Sequence, residues 1–168
     1  MRIQVDVVYY ALLFHDAGYH DDHRHLGYAT KERYAAALAE PILRRCGVAA
    51  TQLEKTALAI LATERDGAYV SAEQKPVRAA DLAGLAADYP RFLDSSLKLK
   101  AEYELLHATT LSWPAWQANS REVLTHYLSQ DIRLTSYYHN DSGESAFHHA
   151  VRENLARLMA EPREPRRR

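Results

Sequence analysis

The sequence predicts an all-α protein of about six to seven helices, and three observations carry that prediction. Glycine and proline are scarce, at six each in 168 residues. They fall between long segments rather than inside them. Those segments are rich in Ala, Leu, Glu, Arg and Lys, the residues with the lowest cost in a helix interior.

A first helix is expected over residues 3–17, with Gly18 as its C-cap; Val5, Val7 and Val8 alone would suit a strand, and length decides for the helix. A second runs from Thr30 toward Arg45, with Pro41 kinking it or opening a new one and Gly47 ending it. Thr51 and Glu54 have capping-box spacing, which places a third helix over 51–65, closed by Gly67. Pro76 suits the first turn of a fourth helix reaching Asp88, and Pro90 opens a fifth carrying Phe92, Leu93, Leu97, Leu99, Tyr103 and Leu106. Ser112 caps a sixth through Pro114 to about Leu134. A loop is expected over 138–143, then a last helix over 145–159 with Phe147, Val151, Leu155 and Leu158 on one face. One helical domain over 1–160 is the expectation, followed by a disordered basic tail over 161–168.

The charge balance excludes some function classes. Lys plus Arg number 21 against 22 Asp plus Glu, so no strong field draws the chain to nucleic acid or to an anionic membrane. The longest apolar run, residues 7–14, falls far short of the roughly 20 residues a bilayer demands. The only cysteine, Cys46, has no partner for an internal disulfide, and no secretory pattern is visible, which favours the cytoplasm.

Three polar residues lie where apolar ones are expected. His15 continues a stripe of Val5, Val8 and Leu12, and Asp16 lies about 100° further round the helix. His15 reads first as a satisfied core histidine, with Asp16 meeting solvent, and second as a ligand. Asp81 lies on a face with Val77, Ala80, Gly84 and Leu85, which predicts burial, and a buried carboxylate requires a metal, a cation or several donors. Arg78, at i−3, is one such partner. Glu64 ends the stripe Leu53, Ala57, Ile60 and Leu61. The loop containing His20, Asp21, Asp22, His23 and His25 is dense in potential ligands. Trp113, Trp116, Tyr137 and Tyr138 read as core or as a recognition surface.

Taken together, Phe14-His15-Asp16-Ala17-Gly18-Tyr19 and Arg78-Ala79-Ala80-Asp81-Leu82-Ala83-Gly84-Leu85 resemble the second and last metal-ligand motifs of the HD-domain phosphohydrolase superfamily. The resemblance covers roughly residues 5–106. It implies an HD-like helical bundle that hydrolyses a nucleotide or related small phosphate ester by metal-activated water. It implies His15, Asp16 and Asp81 as ligands of a divalent ion (Mn, Fe, Co, Ni, Zn or Mg), a site without thiolates having no need to prefer zinc. Asp16 and Glu64 are the expected catalytic carboxylates, and Lys31, Arg65 and Arg78 the expected phosphate-binding cations. The family's first histidine has no counterpart in residues 1–14, so the expectation is an additional helix before Met1 that carries it, or a replacement ligand among His20, His23 and Glu64. The alternative is a catalytically degenerate domain of the same fold that binds a ligand or a protein.

Overall fold

The structure, a computed structural model, describes residues 3–133 and 143–165. Among them are seven α-helices, one 3-10 helix and no extended strand, as the composition predicts. The helices are α1 (Val5–Phe14), α2 (Lys31–Arg45), α3 (Ala50–Leu61), α4 (Gln74–Asp81), α5 (Tyr89–Leu106), α6 (Trp113–Leu128) and α7 (Ala146–Ala160), with the 3-10 turn (Leu82–Ala86) directly after α4. The single domain expected from sequence resolves into two compact units, Met1–Asp81 and Leu82–Arg168. No described helix is long and apolar enough to cross a membrane.

In the first unit α3 packs against α1, α2 and α4. Val7, Ala11, Ala35, Ala39, Leu43, Ile60 and Val77 form its core. Small alanines on α1 and α2 let the helices approach closely. Fully buried Val7 and Ile60 each contribute about 1.5–3 kcal/mol of burial. The buried face of α1 is Val7 and Ala11, not the expected stripe of Val5, Val8 and Leu12. Val5, Tyr9 and Leu13 face outward, Val5 at 71% exposure. Because α1 is apolar on every face but that of Asp6, its pattern carries little phase information.

Helix ends follow local chemistry. Thr30 Oγ1 accepts from the Arg33 amide and starts α2; Pro41 lies within α2 without ending it. The capping box expected at Thr51 is not formed, since α3 starts one residue earlier from Ala49 without a side-chain cap. Its counterpart lies at Ser71 and Gln74: Ser71 Oγ accepts from the Gln74 amide at 3.1 Å, while Gln74 Oε1 accepts from the Ser71 and Val70 amides. That cap starts α4 two residues before Pro76. Gly18 has φ +69°, and a Cβ there would run into the Tyr34 ring, so this turn requires glycine.

In the second unit α7 packs on the 3-10 turn, α6 and α5. Phe147, Val151 and Leu158 are fully buried along its inner face. Asp88, Ser112 and Ser145 cap α5, α6 and α7 with their side chains. Asn154, buried in α7, donates from Nδ2 to the carbonyls of Leu85 and Ala87 at 2.9 Å each and so pins the 3-10 turn. Trp113 and Trp116 are core residues, not a recognition surface: the Trp113 indole donates to the Glu161 carbonyl and the Trp116 indole to Ser96 Oγ, both at 3.0 Å. Tyr137 and Tyr138 lie outside the described residues. The tail also departs from expectation, because Glu161 accepts from Tyr89 Oη at 2.9 Å and Glu164 pairs with buried Lys100 at 3.2 Å. Residues 166–168 lie outside the described residues.

Candidate functional site

Helix α1 ends at Phe14, and the chain passes through successive turns from His15 to His20. The His15 amide still bonds to the Ala11 carbonyl at 2.9 Å, which fixes the histidine at the helix end. Its Nδ1 lies 2.8 Å from the Leu12 carbonyl. A carbonyl can only accept, so Nδ1 carries the proton of that bond and Nε2 is the nitrogen left to face other groups. Nε2 faces two carboxylates, Asp16 Oδ2 at 3.3 Å and Asp81 Oδ1 at 3.5 Å. The structure thus brings together three residues drawn from two helix ends 65 positions apart.

Asp81, the last residue of α4, is half-buried rather than buried, its side chain 23% exposed, and neighbouring Ala80 is exposed. Arg78, three residues earlier in α4, is not placed as the expected phosphate ligand. Arg78 is 1% exposed. Its Nη1 donates to the carbonyls of Thr63 and Glu64 at 2.9 and 2.7 Å, and Nη2 to that of Arg65 at 2.8 Å. These carbonyls follow the C-terminus of α3, where backbone acceptors lack helical partners. A guanidinium so engaged fastens α4 to the chain leaving α3.

The remaining sequence candidates fall into two groups. Lys31, at the first position of α2, belongs to the site: Nζ lies 2.8 Å from Asp16 Oδ1, 3.6 Å from Glu32 Oε1 and 4.8 Å from the centre of the Tyr19 ring. Glu64 does not join His15; its Oε1 accepts from Thr30 Oγ1 at 2.7 Å and lies 3.9 Å from Arg33 Nε. That removes the geometric support for Glu64 as a catalytic group or replacement ligand. His20 is exposed and packs edge-on against Tyr19, and His23 lies in the following turns; no described contact ties either to His15, Asp16 or Asp81. Arg65 is exposed and offers its carbonyl to Arg78.

The sequence reading missed Glu32. It is 7% exposed, on the α2 face that also buries Ala35, Ala39 and Leu43. The spacing i, i+3, i+7 and i+11 was available to find it.

The electrostatics are coherent. The hydrogen bond to Asp81 raises the His15 pKa above the ordinary imidazole range, against the opposing effect of burial, with further support from Leu12 and Asp16. Burial disfavours the Lys31 ammonium, but Asp16 and Glu32 more than offset it and hold its pKa above the ordinary value. Among the described residues, no group of three or more His, Cys, Asp or Glu side chains forms a ready-made metal cage. The convergence is pairwise, each carboxylate against Nε2. His15 Nε2 lies within ion-pair reach of each carboxylate in turn, 3.3 Å from Asp16 and 3.5 Å from Asp81. No family model, no curated protein and no solved structure matches the chain.

Proposed function

We propose that the protein is a divalent-metal-dependent phosphohydrolase acting on a small phosphate ester, with His15, Asp16 and Asp81 as its metal ligands. One observation carries the reading. Nε2 of a histidine whose Nδ1 is bonded to a backbone carbonyl faces carboxylates from two separate segments. That carbonyl bond is the outer support typical of metal-ligating histidines. The half-exposure of Asp16 and Asp81 leaves a way in for a ligand. A divalent ion held there lowers the pKa of bound water and polarises a phosphoryl oxygen. The chain's own contribution is to fix the three donors and to set Lys31 beside them, where an ammonium attracts phosphate oxygens.

Metal analysis of protein purified without chelator, followed by phosphomonoester and phosphodiester panels with Mn²⁺, Co²⁺ or Ni²⁺, tests the proposal. Bound metal and turnover, both lost in His15→Ala, are the expected result; no metal and no turnover would overturn it. A second reading, a catalytically silent binding domain, draws support from Lys31, which already gives Asp16 a partner within the chain. It requires the same protein to bind no metal.

A further inference from the structure

The second unit holds a segment of its own chain in the manner of a receptor holding a peptide. After α7, residues 161–165 read Glu-Pro-Arg-Glu-Pro, two Glu-Pro pairs three positions apart. Both glutamates meet groups of α5: Glu161 Oε1 accepts from Tyr89 Oη at 2.9 Å, and Glu164 Oε2 lies 3.2 Å from Lys100 Nζ. The backbone is read as well, since the Glu161 carbonyl accepts from the Trp113 indole and from Gln117 Nε2, both at 3.0 Å. We propose that Tyr89, Lys100, Trp113 and Gln117 form a recognition site for an acidic, proline-containing peptide of another protein, Glu-Pro-x-Glu in pattern, and that residues 161–165 occupy this site in cis.

Burial separates receptor from ligand. Tyr89, Lys100 and Trp113 are buried, Lys100 at 4% exposure, whereas Pro162, Arg163 and Glu164 are exposed. The segment supplies acceptors to buried donors and adds little packing of its own. A buried ammonium is costly unless paired, and Lys100 has two carboxylates, Glu104 at 2.7 Å on its own helix and Glu164. Burial disfavours its charge, and the two glutamates more than offset that. Glu104 Oε1 also accepts from the Leu111 amide at 2.7 Å and is fixed in place. Lys100 therefore stays paired when Glu164 leaves, which makes Glu164 the exchangeable partner. Proline sets the shape of the ligand, because it fixes its own φ and drives the residue before it toward extended backbone; Glu161, before Pro162, is extended. A free peptide of the same pattern is shaped in advance and loses little entropy on binding. A second copy of this chain brings only the same segment, gains no contact by exchanging it and loses translational freedom. A peptide of another protein, with further contacts on either side, gains by the exchange.

The indole N–H signals of the two tryptophans in a nitrogen–proton spectrum of the full chain test this. Trp113 reports the site, and Trp116, bonded to Ser96 Oγ, is the internal reference. Tethering holds residues 161–165 at an effective concentration in about the millimolar range, so the tethered copy is first weakened by Glu164→Ala. That change should move the Trp113 signal and leave the Trp116 signal in place. The free peptide Glu-Pro-Arg-Glu-Pro, capped at both ends, should then return the Trp113 signal toward its wild-type position, with an apparent Kd roughly tenfold lower than on the wild-type chain. The peptide Gln-Pro-Arg-Gln-Pro should have no effect. Both peptides meet the same protein, so a folding defect cannot produce the difference between them. A Trp113 signal unmoved by the mutation, or by the glutamate peptide at millimolar concentration, would make residues 161–165 a permanent part of the fold and overturn the proposal; an equal response to both peptides would overturn it too, because no carboxylate is then recognised. Sedimentation of the wild type should show a monomer, and a dimer that the free peptide dissociates would assign the site to a second copy instead of another protein.

Discussion

The two units use buried polar groups in opposite ways. In the second unit, Asn154 bonds to the carbonyls of Leu85 and Ala87, the Trp113 indole to the Glu161 carbonyl, and Lys100 to Glu104 and Glu164. Each ties one part of the chain to another and leaves its partner satisfied. In the first unit, His15, Asp16, Asp81 and Lys31 face one another at the end of α1 with their side chains 22–52% exposed. Polar groups that fix backbone are buried and saturated. Those at the candidate site keep unused bonding capacity and access to water. Arg78 and Glu73 are exceptions that support the contrast, since both tie backbone in the first unit and are as buried as Asn154 and Lys100 in the second.

The largest effect should come from the Arg78 tie. Arg78→Met leaves the carbonyls of Thr63, Glu64 and Arg65 without a buried partner, and we expect a loss of about 3 kcal/mol in urea unfolding together with weaker metal binding, because α4, which ends in Asp81, loses its tie to the chain leaving α3. Loss of stability alone, with metal affinity retained, would break the link between tie and site. His15→Ala should invert the pattern: metal affinity falls by at least roughly 100-fold, while stability changes by less than about 1 kcal/mol, because the imidazole is partly exposed. In the second unit, Asn154→Ala should cost about 2 kcal/mol by orphaning two carbonyls and leave metal binding unchanged. The smallest effect concerns Tyr89. Burial, with the hydrogen bond to Glu161, pushes its pKa up to about 12. A group whose pKa is higher in the folded state contributes stability below its unfolded pKa of about 10 and loses it as pH rises toward 12. The stability advantage of wild type over Tyr89→Phe should therefore hold at pH 8 and shrink between pH 10 and 11, as read from denaturation midpoints.

What was legible in the sequence follows the same division. Helix existence was plain from composition, and the caps at Thr30, Asp88, Ser112 and Ser145 form where an oxygen-bearing side chain precedes a helix. That His15 meets Asp16 and Asp81 was expected only from the resemblance of their two motifs to HD-type ligand motifs, since the stripe read on α1 is not its buried side. Phase was less legible. On α1 every face but that of Asp6 is apolar, so only packing against α3 picks Val7 and Ala11, and on α4 the buried side is taken by Arg78, whose partners are carbonyls that no side-chain pattern encodes. Glu32 was hidden for a related reason: an acid in the first turn of a helix already has an explanation in the helix dipole. The anchoring of Glu161 and Glu164 depends on Tyr89 and Lys100, far away in sequence.

The glycine at position 18 has a consequence for inheritance. Its backbone passes so close to the Tyr34 ring and the Leu38 side chain that a β-carbon would overlap both, and its positive φ would strain any replacement. Positions 18 and 34 are thus coupled through space: a methyl group gained at one demands a smaller side chain at the other. Descendants of this chain that exchange Gly18 for alanine should carry a reduced residue at 34 in the same lineage. The double variant Gly18→Ala with Tyr34→Ala should be less impaired than the two single changes added together.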